Sequence, residues 1–298
     1  YIEDGYTIVV DIDLEKFFDR VNHERLMSTL RKDVQDGRVL RVIHKMLKAQ
    51  TVLPDGVVIN TEQGVPQGGP LSPLLSNVVL NELDWELNKR GHKFVRYADD
   101  CNIYVQSQRA GERVMRSIET FINRKLRLKI NTAKSAVGDP ASRHFLGFTL
   151  GVNAITEEVQ VSLSERSVSR IRQRIRELTP RNWGQSLEDN IRRLNQYFQG
   201  WRGYFHITTN EVIYLLQALD AHTRRRLRAI QLKHWRHKVT MAHRLIDLGV
   251  KRRTSWQTIY KGNRNIWALS HSAAVDRGLR NAYFAERGLK SLVSIWQQ

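Results

Sequence analysis

The stretch KFVRYADDCNIYV (residues 93–105) places two adjacent carboxylates, Asp99 and Asp100, between segments whose apolar residues alternate as strands do. It reads as a hairpin with the aspartates at its tip. Two like charges so close repel, and burying them is costly unless something neutralises them. Either the pair is solvated turn chemistry, or it holds metal.

A second stretch bears on the choice. TIVVDID (7–13) is a β-branched strand with Asp11 and Asp13 at positions of the same parity. If it neighbours the hairpin in one sheet, Asp13, Asp99 and Asp100 converge. Hard divalent cations take oxygen ligands, and Mg²⁺ bound by a few carboxylates plus substrate phosphates is the usual phosphoryl-transfer arrangement. Two such ions about 3.5–4 Å apart would clamp the attacking and leaving oxygens of an in-line displacement. No side-chain nucleophile is evident.

Around these stretches, residues 14–34 read as helical with a break near Asn22, and 37–50 as a helix. Residues 51–60 suggest a hairpin turning at Pro54-Asp55-Gly56, and 61–70 a Gly/Pro-rich loop. Residues 71–91 form a helix stopped by Gly91, and 109–128 another. KINTAKSAVG and HFLGFTL read as short strands. This order predicts an α+β fold, an antiparallel sheet with helices on one face. Beyond about 155 the chain reads as basic helices at 164–178, 186–205 and 211–238. Boundaries are expected near 155–165 and, more weakly, near 240–250.

Charge divides the chain in the same way. The net charge is +18 over 298 residues. Residues 1–150 carry 22 Lys or Arg against 19 Asp or Glu, whereas 151–298 carry 26 against 11. A polyanion, nucleic acid first, is the natural partner of the second half. The single cysteine, Cys101, excludes a disulfide framework and a cysteine zinc site, and fits a reducing cytosol. No apolar run approaches the roughly 18 residues of a membrane span, and no signal peptide is seen. The chain opens on Tyr1 and enters a strand at once, so residue 1 reads as an internal position of a longer product.

RYADDCNIYV resembles the Tyr-Ala-Asp-Asp box of reverse transcriptases. VVDIDLEKFFDRVNHERL resembles the family's first palm motif, QGVPQGGPLSPLLSNVVLNELD its Pro-Gln-Gly motif, and LKINTAKS and HFLGF the two blocks that follow. The motifs stand in the family's order, and their longer forms resemble the group II intron branch. LEDNIRRLNQYFQGWRGYF resembles the maturase-specific thumb, or domain X. The resemblance implies a palm over 1–158, a thumb over 159–240 and a small basic helical module over 241–298 that could bind DNA or RNA.

It also implies roles. The family places an aromatic five residues after the first catalytic aspartate. Asp13 to Phe18 fits, while Asp11 would land on Lys16. Asp13, Asp99 and Asp100 would then hold two Mg²⁺, with the Leu14 carbonyl as a further ligand and Asp100 the weakest. Phe18 resembles the steric gate against a ribose 2′-OH, and Phe17 reads as core. Gln67 resembles the residue beside the incoming nucleotide, with Gly68 and Gly69 allowing close backbone approach. Lys134 resembles the lysine that protonates leaving pyrophosphate. Tyr97, Phe145, Leu146 and Gly147 fall at primer or template positions, the last three as the primer grip. In the basic half, Arg170, Arg174, Arg224, Arg225, Arg226, Arg228 and Lys233 are candidates for nucleic-acid contact.

The expected function is RNA-directed DNA polymerisation, extending a primer 3′-OH with dNTPs, joined to intron splicing and mobility. The expected partners are an RNA template, a DNA or RNA primer, group II intron RNA and a DNA target. The expected setting is cytoplasmic, on a ribonucleoprotein or nucleoid DNA. The alternatives are a non-enzymatic splicing cofactor, or a retron, diversity-generating or defence reverse transcriptase. Neither a His-Asn-His pattern nor Cys pairs occur, so second-strand cleavage is not expected. The family's finger blocks lie upstream of its first palm motif, so this stretch alone is expected to lack much of the nucleotide grip.

Overall fold

The computed structural model describes residues 1–52, 58–59, 63–66, 69–153, 155–180, 184–209, 212–262 and 264–298. The chain forms two compact units, Tyr1–Val159 and Gln160–Gln298. Among the described residues no helix is long and apolar enough to cross a membrane.

In the first unit, β1 (Ile8–Ile12) leads through α1 (Phe17–Arg20), α2 (His23–Asp33) and α3 (Gly37–Leu47) to the short antiparallel pair β2 (Thr51–Val52) and β3 (Val58–Ile59). The Pro-Asp-Gly turn expected between the two lies outside the described residues. Then follow α4 (Ser72–Lys89), β4 (Lys93–Tyr97), β5 (Asp100–Val105), α5 (Gln108–Phe121), β6 (Ala136–Gly138) and β7 (Phe148–Val152). The main sheet has the order β4-β5-β1-β6, with β1 antiparallel to both neighbours. β8 (Val159–Leu163) follows β7 in the chain.

The register of β1 on β5 sorts the two faces of this sheet. Opposed residues share a face. The pairs Ile8↔Val105, Val10↔Ile103 and Ile12↔Cys101 fall on one side, Val9↔Tyr104 and Asp11↔Asn102 on the other. The aliphatic side packs into the core with Leu75, Leu80, Leu83 and Leu87 of α4 and Ile118 of α5. Helices therefore cover one face, and the opposite face carries the polar residues.

Local chemistry sets the boundaries. Asn22 caps α2 by accepting from the Arg25 amide, which is the expected break. Gly91 follows α4 at φ +70°, the left-handed stop read from sequence. The helix expected over 109–128 changes character partway: α5 ends at Phe121 and continues as a π-helical turn, Ile122–Leu126, closed by Arg127 at φ +56°. KINTAKSAVG is strand only over its last part, because its first half makes turns.

The second unit is helical. It runs through α6 (Glu165–Leu178), α7 (Leu187–Phe205), α8 (Ile213–His234), α9 (Lys238–Asp247), α10 (Arg252–Tyr260), α11 (Ile266–Leu269), α12 (Ala273–Gly278), α13 (Asn281–Ala285) and α14 (Leu292–Trp296). Ile171, Ile175 and Leu178 of α6 meet Ile191, Leu194, Phe198 and Trp201 of α7 at helical spacing. The helix expected over 211–238 breaks after His234, where Arg236 takes φ +56° and α9 starts afresh. Residues beyond 241 share one core with those before, from Ile171 to Ile295. Asp220, buried on α8, accepts from the Leu292 amide at 2.8 Å and the Val293 amide at 3.4 Å, capping α14.

Asp220→Ala removes that acceptor and leaves two amides unpaired, one of them fully buried. We expect it to destabilise the second unit by about 1–3 kcal/mol, read by thermal or denaturant unfolding, with Asp220→Asn recovering part of the loss.

Candidate active site

The site lies at the end of β1 and β5, on the face away from the helices. Asp11 stands opposite Asn102. Parity carries Asp13 to the same face, since Leu14 turns into the core with Val10 and Ile12. Asp100 begins β5 and pairs with Tyr97 across a two-residue turn, so Ala98 and Asp99 form the tip. Tyr97 is exposed. Cys101 is buried, and its thiol is pushed up to about 12 chiefly by that burial, so it is inert packing.

Electrostatics show how close the carboxylates are. Burial, then the fields of Asp11, Asp99 and Asp13, push Asp100 up to about 6. Burial also raises Asp11. The charges of Arg143 and His144 oppose that shift, and Asp13 adds to it. Asp11 thus shares the electrostatic field of Asp13 and Asp100, although motif spacing selects Asp13 between the two. Parity was the available signal: both aspartates share it. Arg143 and His144 were not foreseen, because nothing in HFLGF points back to β1.

Asp13 is fixed through its backbone. Its amide donates to Ser135 Oγ at 2.9 Å, and its carbonyl accepts from the Asn131 amide at 2.8 Å. Leu14 bridges to Ile130, and the Glu15 amide donates to the Lys129 carbonyl. Asn131 turns the chain by accepting from the Ala133 amide through its side chain. That turn brings Lys134 Nζ to 3.7 Å from Asp13 Oδ2, an exposed ion pair of small energetic weight. Ser135, missed in the sequence, is the residue that pins Asp13.

The Gly/Pro loop is stitched to the same region. The Gly64 amide donates to the Val21 carbonyl at 2.7 Å and the Val65 amide to the Phe18 carbonyl at 2.6 Å. His23 Nε2 lies 2.6 Å from the Gly64 carbonyl. Gly64 sits at φ +93°, and a Cβ there would stand 2.8 Å from the Phe18 carbonyl oxygen. Gln67 and Gly68 lie outside the described residues, whereas Gly69 donates to the Pro66 carbonyl and leads into α4. Phe18 is half-buried, its ring 5.3 Å from that of Phe17, which is core as expected. Phe145 and Phe148 exchange two backbone hydrogen bonds around Leu146 at φ +52° and Gly147 at φ +87°, a tight turn.

Among the described residues no three His, Cys, Asp or Glu side chains stand close enough to hold a metal ion by themselves. The donor set nonetheless fits Mg²⁺. Hard carboxylate oxygens gather at one sheet end, and one of them, on Asp100, is held well above its usual pKa by burial first and by its neighbours' charge second. An ion completed by substrate phosphates needs few protein ligands.

The basic residues of the second unit fall into two groups. Arg170, Arg174 and Lys233 are exposed, Arg174 pairing with Glu177 at 2.8 Å. Arg224 is partly exposed, and Arg225 lies 4.1 Å over the Trp267 ring. Arg226 and Arg228 are turned to the protein. Arg226 donates to the Thr179 and Arg176 carbonyls at the end of α6, and Arg228 pairs with Asp276 and donates to the Leu279 carbonyl. A run of arginines in sequence does not separate braces from contacts.

Residues 2–150 match the family model for the reverse transcriptase (RNA-dependent DNA polymerase), so the chain belongs to the reverse transcriptase family. Residues 168–246, within the second unit, match the group II intron, maturase-specific domain. Protein YkfC of Escherichia coli (strain K12) is 42% identical over 82 residues, 28% of this chain and 21% of that protein. The group II intron-encoded protein LtrA of Lactococcus lactis subsp. cremoris is 39% identical over 75 residues, 25% of this chain and 12% of that protein. The chain thus spans only a small part of the length of these curated relatives. Apo telomerase from Candida tropicalis superposes with a TM-score of 0.46 at 12% identity, over 98% of this chain and 53% of that one.

The raised Asp100 has a consequence for stability. Its folded pKa, about 6, exceeds the ordinary 3.8, so the folded state keeps a proton that the unfolded state releases. The cost of ionising it is absent below the ordinary value and complete above about 6. For a carboxylate still partly exposed this amounts to about 1 kcal/mol after screening. Without divalent cations, Asp100→Asn should raise the melting temperature at about pH 7.5 more than at about pH 4. Added Mg²⁺ should stabilise the wild type more than the variant in the same melts.

Proposed function

We propose that the protein is an RNA-directed DNA polymerase of the group II intron type, which extends a primer 3′-OH with dNTPs on an RNA template and also serves intron splicing and mobility. The observation that carries the proposal is the gathering of Asp11, Asp13 and Asp100 on one face beside Asp99, within a chain of this family.

Asp13 and Asp99, with Asp100 and the Leu14 carbonyl, are the groups that would hold two Mg²⁺. Bound there, the ions would supply Lewis acidity to the attacking 3′-oxygen and to the leaving pyrophosphate. The chain's own residues do the rest. Ser135 and Asn131 keep the Asp13 backbone still. Lys134, beside Asp13, is placed to give a proton to the departing pyrophosphate and to offset its charge. Phe18 is the wall against a ribose 2′-OH. Tyr97 and the Phe145–Gly147 turn are surfaces for the primer end. Gln67, Gly68 and Gly69 belong to the nucleotide side. The palm (1–158), the thumb (159–240) and the module over 241–298 divide the work between chemistry and nucleic-acid grip.

In that grip, Arg170, Arg174, Arg224, Arg225 and Lys233 are the contacts to template, primer or intron RNA, while Arg226 and Arg228 hold helices in place for them. A DNA target and a ribonucleoprotein or nucleoid setting follow from this reading. A second reading, a splicing cofactor without catalysis, draws on the excess of basic residues in the second half. Splicing and primer-extension assays run side by side separate the two.

Asp99→Ala in the full polypeptide should lower primer extension by about three orders of magnitude or more, with RNA retention on a filter unchanged. Wild-type extension by this variant would remove Asp99 from the metal site. Phe18→Ala should raise rNTP use relative to dNTP in single-nucleotide extension; an unchanged ratio would remove the gate.

A further inference from the structure

Arg96, two residues before Ala98 of the tip, directs its side chain to the helix-covered side of the sheet, as its partner Cys101 does. Its guanidinium is used as a fork. Nε donates to Asp84 Oδ1 at 2.7 Å and Nη2 to Asp84 Oδ2 at 2.5 Å. Nη1 donates to Asn77 Oδ1 at 3.0 Å and to the Ala98 carbonyl at 2.8 Å. The Arg96 side chain is only 10% exposed and that of Asp84 24%, so the pair is largely desolvated. Two-pronged carboxylate binding of this kind fixes orientation as well as distance.

The four contacts join two parts of the site. Asn77 and Asp84 lie two turns apart on α4. That helix begins where the Gly/Pro loop ends, with Ser72 Oγ bonded to the Pro66 carbonyl. The Ala98 carbonyl belongs to the tip that carries Asp99, and Ala98 sits at φ +54°, in the left-handed region that disfavours a side chain. Nothing in the turn's own sequence supplies a glycine or asparagine to relax it. The fork is the contact from outside the turn that reaches this residue.

We propose that Arg96, clamped by Asp84 and Asn77, is a positioning residue that holds the hairpin tip in register with α4 and so sets where Asp99 and Asp100 stand relative to Asp13. The proposal rests on reading this cluster as the polymerase metal site. Arg96 touches no carboxylate of the cluster; it acts through the Ala98 backbone. Lysine cannot replace it, because one ammonium cannot serve both Asp84 oxygens, Asn77 and the Ala98 carbonyl from one plane.

The test compares Arg96→Lys, Asp84→Asn and Asp84→Glu with the wild type in the full polypeptide. Circular dichroism and melting give the folded fraction, Mn²⁺ titration followed by electron paramagnetic resonance gives metal affinity, and primer extension gives kcat and KM. Arg96→Lys and Asp84→Asn should lower kcat about tenfold to a hundredfold, the scale of a sub-ångström to one-ångström misplacement. The KM for dNTP should stay within about twofold and the Mn²⁺ half-saturation should rise about threefold to tenfold, because the ligands are displaced while the nucleotide contacts remain. Asp84→Glu, which keeps a carboxylate, should recover part of both. A fall in kcat that only follows the folded fraction, with Mn²⁺ half-saturation unchanged, overturns the proposal and leaves the fork as fold support. A wild type that extends no primer, alongside an Arg96→Lys shift in Mn²⁺ affinity, supports the positioning role while ending the polymerase reading.

Discussion

The antiparallel pairing of β1 with β5 governs the first unit. Its register puts Ile12 against Cys101 and Asp11 against Asn102, so one face of two adjacent strands is aliphatic and the other bears carboxylates. A shift of one residue would exchange the faces, sending charge into the core and isoleucine into water. The buried leucines of α4 and Ile118 of α5 therefore do more than stabilise. By requiring Val10, Ile12, Cys101 and Ile103 on their side, they oblige Asp11, Asp13 and Asp100 to share the other. Charge repulsion among those groups is the cost of that arrangement, and the burial of the opposite face offsets it.

Around this pairing, much of the positioning acts on main-chain groups. Asp13 is held by its amide and carbonyl, Phe18 by its carbonyl, and the hairpin tip by the Ala98 carbonyl. The rule extends to the second unit, where Arg226 and Arg228 reach main-chain carbonyls at helix ends and Asp220 receives main-chain amides. Helix termini leave such groups unsatisfied, and charged side chains are the strongest partners available to them.

Much of this was legible in the sequence. Alternation marks β4 and β5, β-branched residues mark β1, apolar spacing marks α3 and α4, and Gly91 marks a stop. The meeting of Asp13 with Asp99 and Asp100 followed from supposing that the strands are neighbours. What stayed hidden depends on contacts between distant positions. Ser135 is a plain serine until its Oγ is seen on the Asp13 amide, 122 positions away. Arg226 and Arg228 stand in the same basic run as Arg224, yet their guanidiniums serve carbonyls of other helices. Asp11 was set aside on motif spacing, which assigns one role and says nothing of a neighbour that shares its field. The helix expected through 238 failed at Arg236, whose left-handed backbone no side-chain preference announces.

The turn at 145–148 carries a different lesson. A two-residue turn with both central residues in the left-handed region is most at ease with Asn-Gly, and here the first position is Leu146. A branched aliphatic residue there gives up on the order of 1 kcal/mol that asparagine would keep. Natural sequences retain such misfits where the side chain is wanted for something other than folding. A stabilising search of this protein would select that position for improvement early, and would replace the one feature of the turn that cannot be explained by the turn itself.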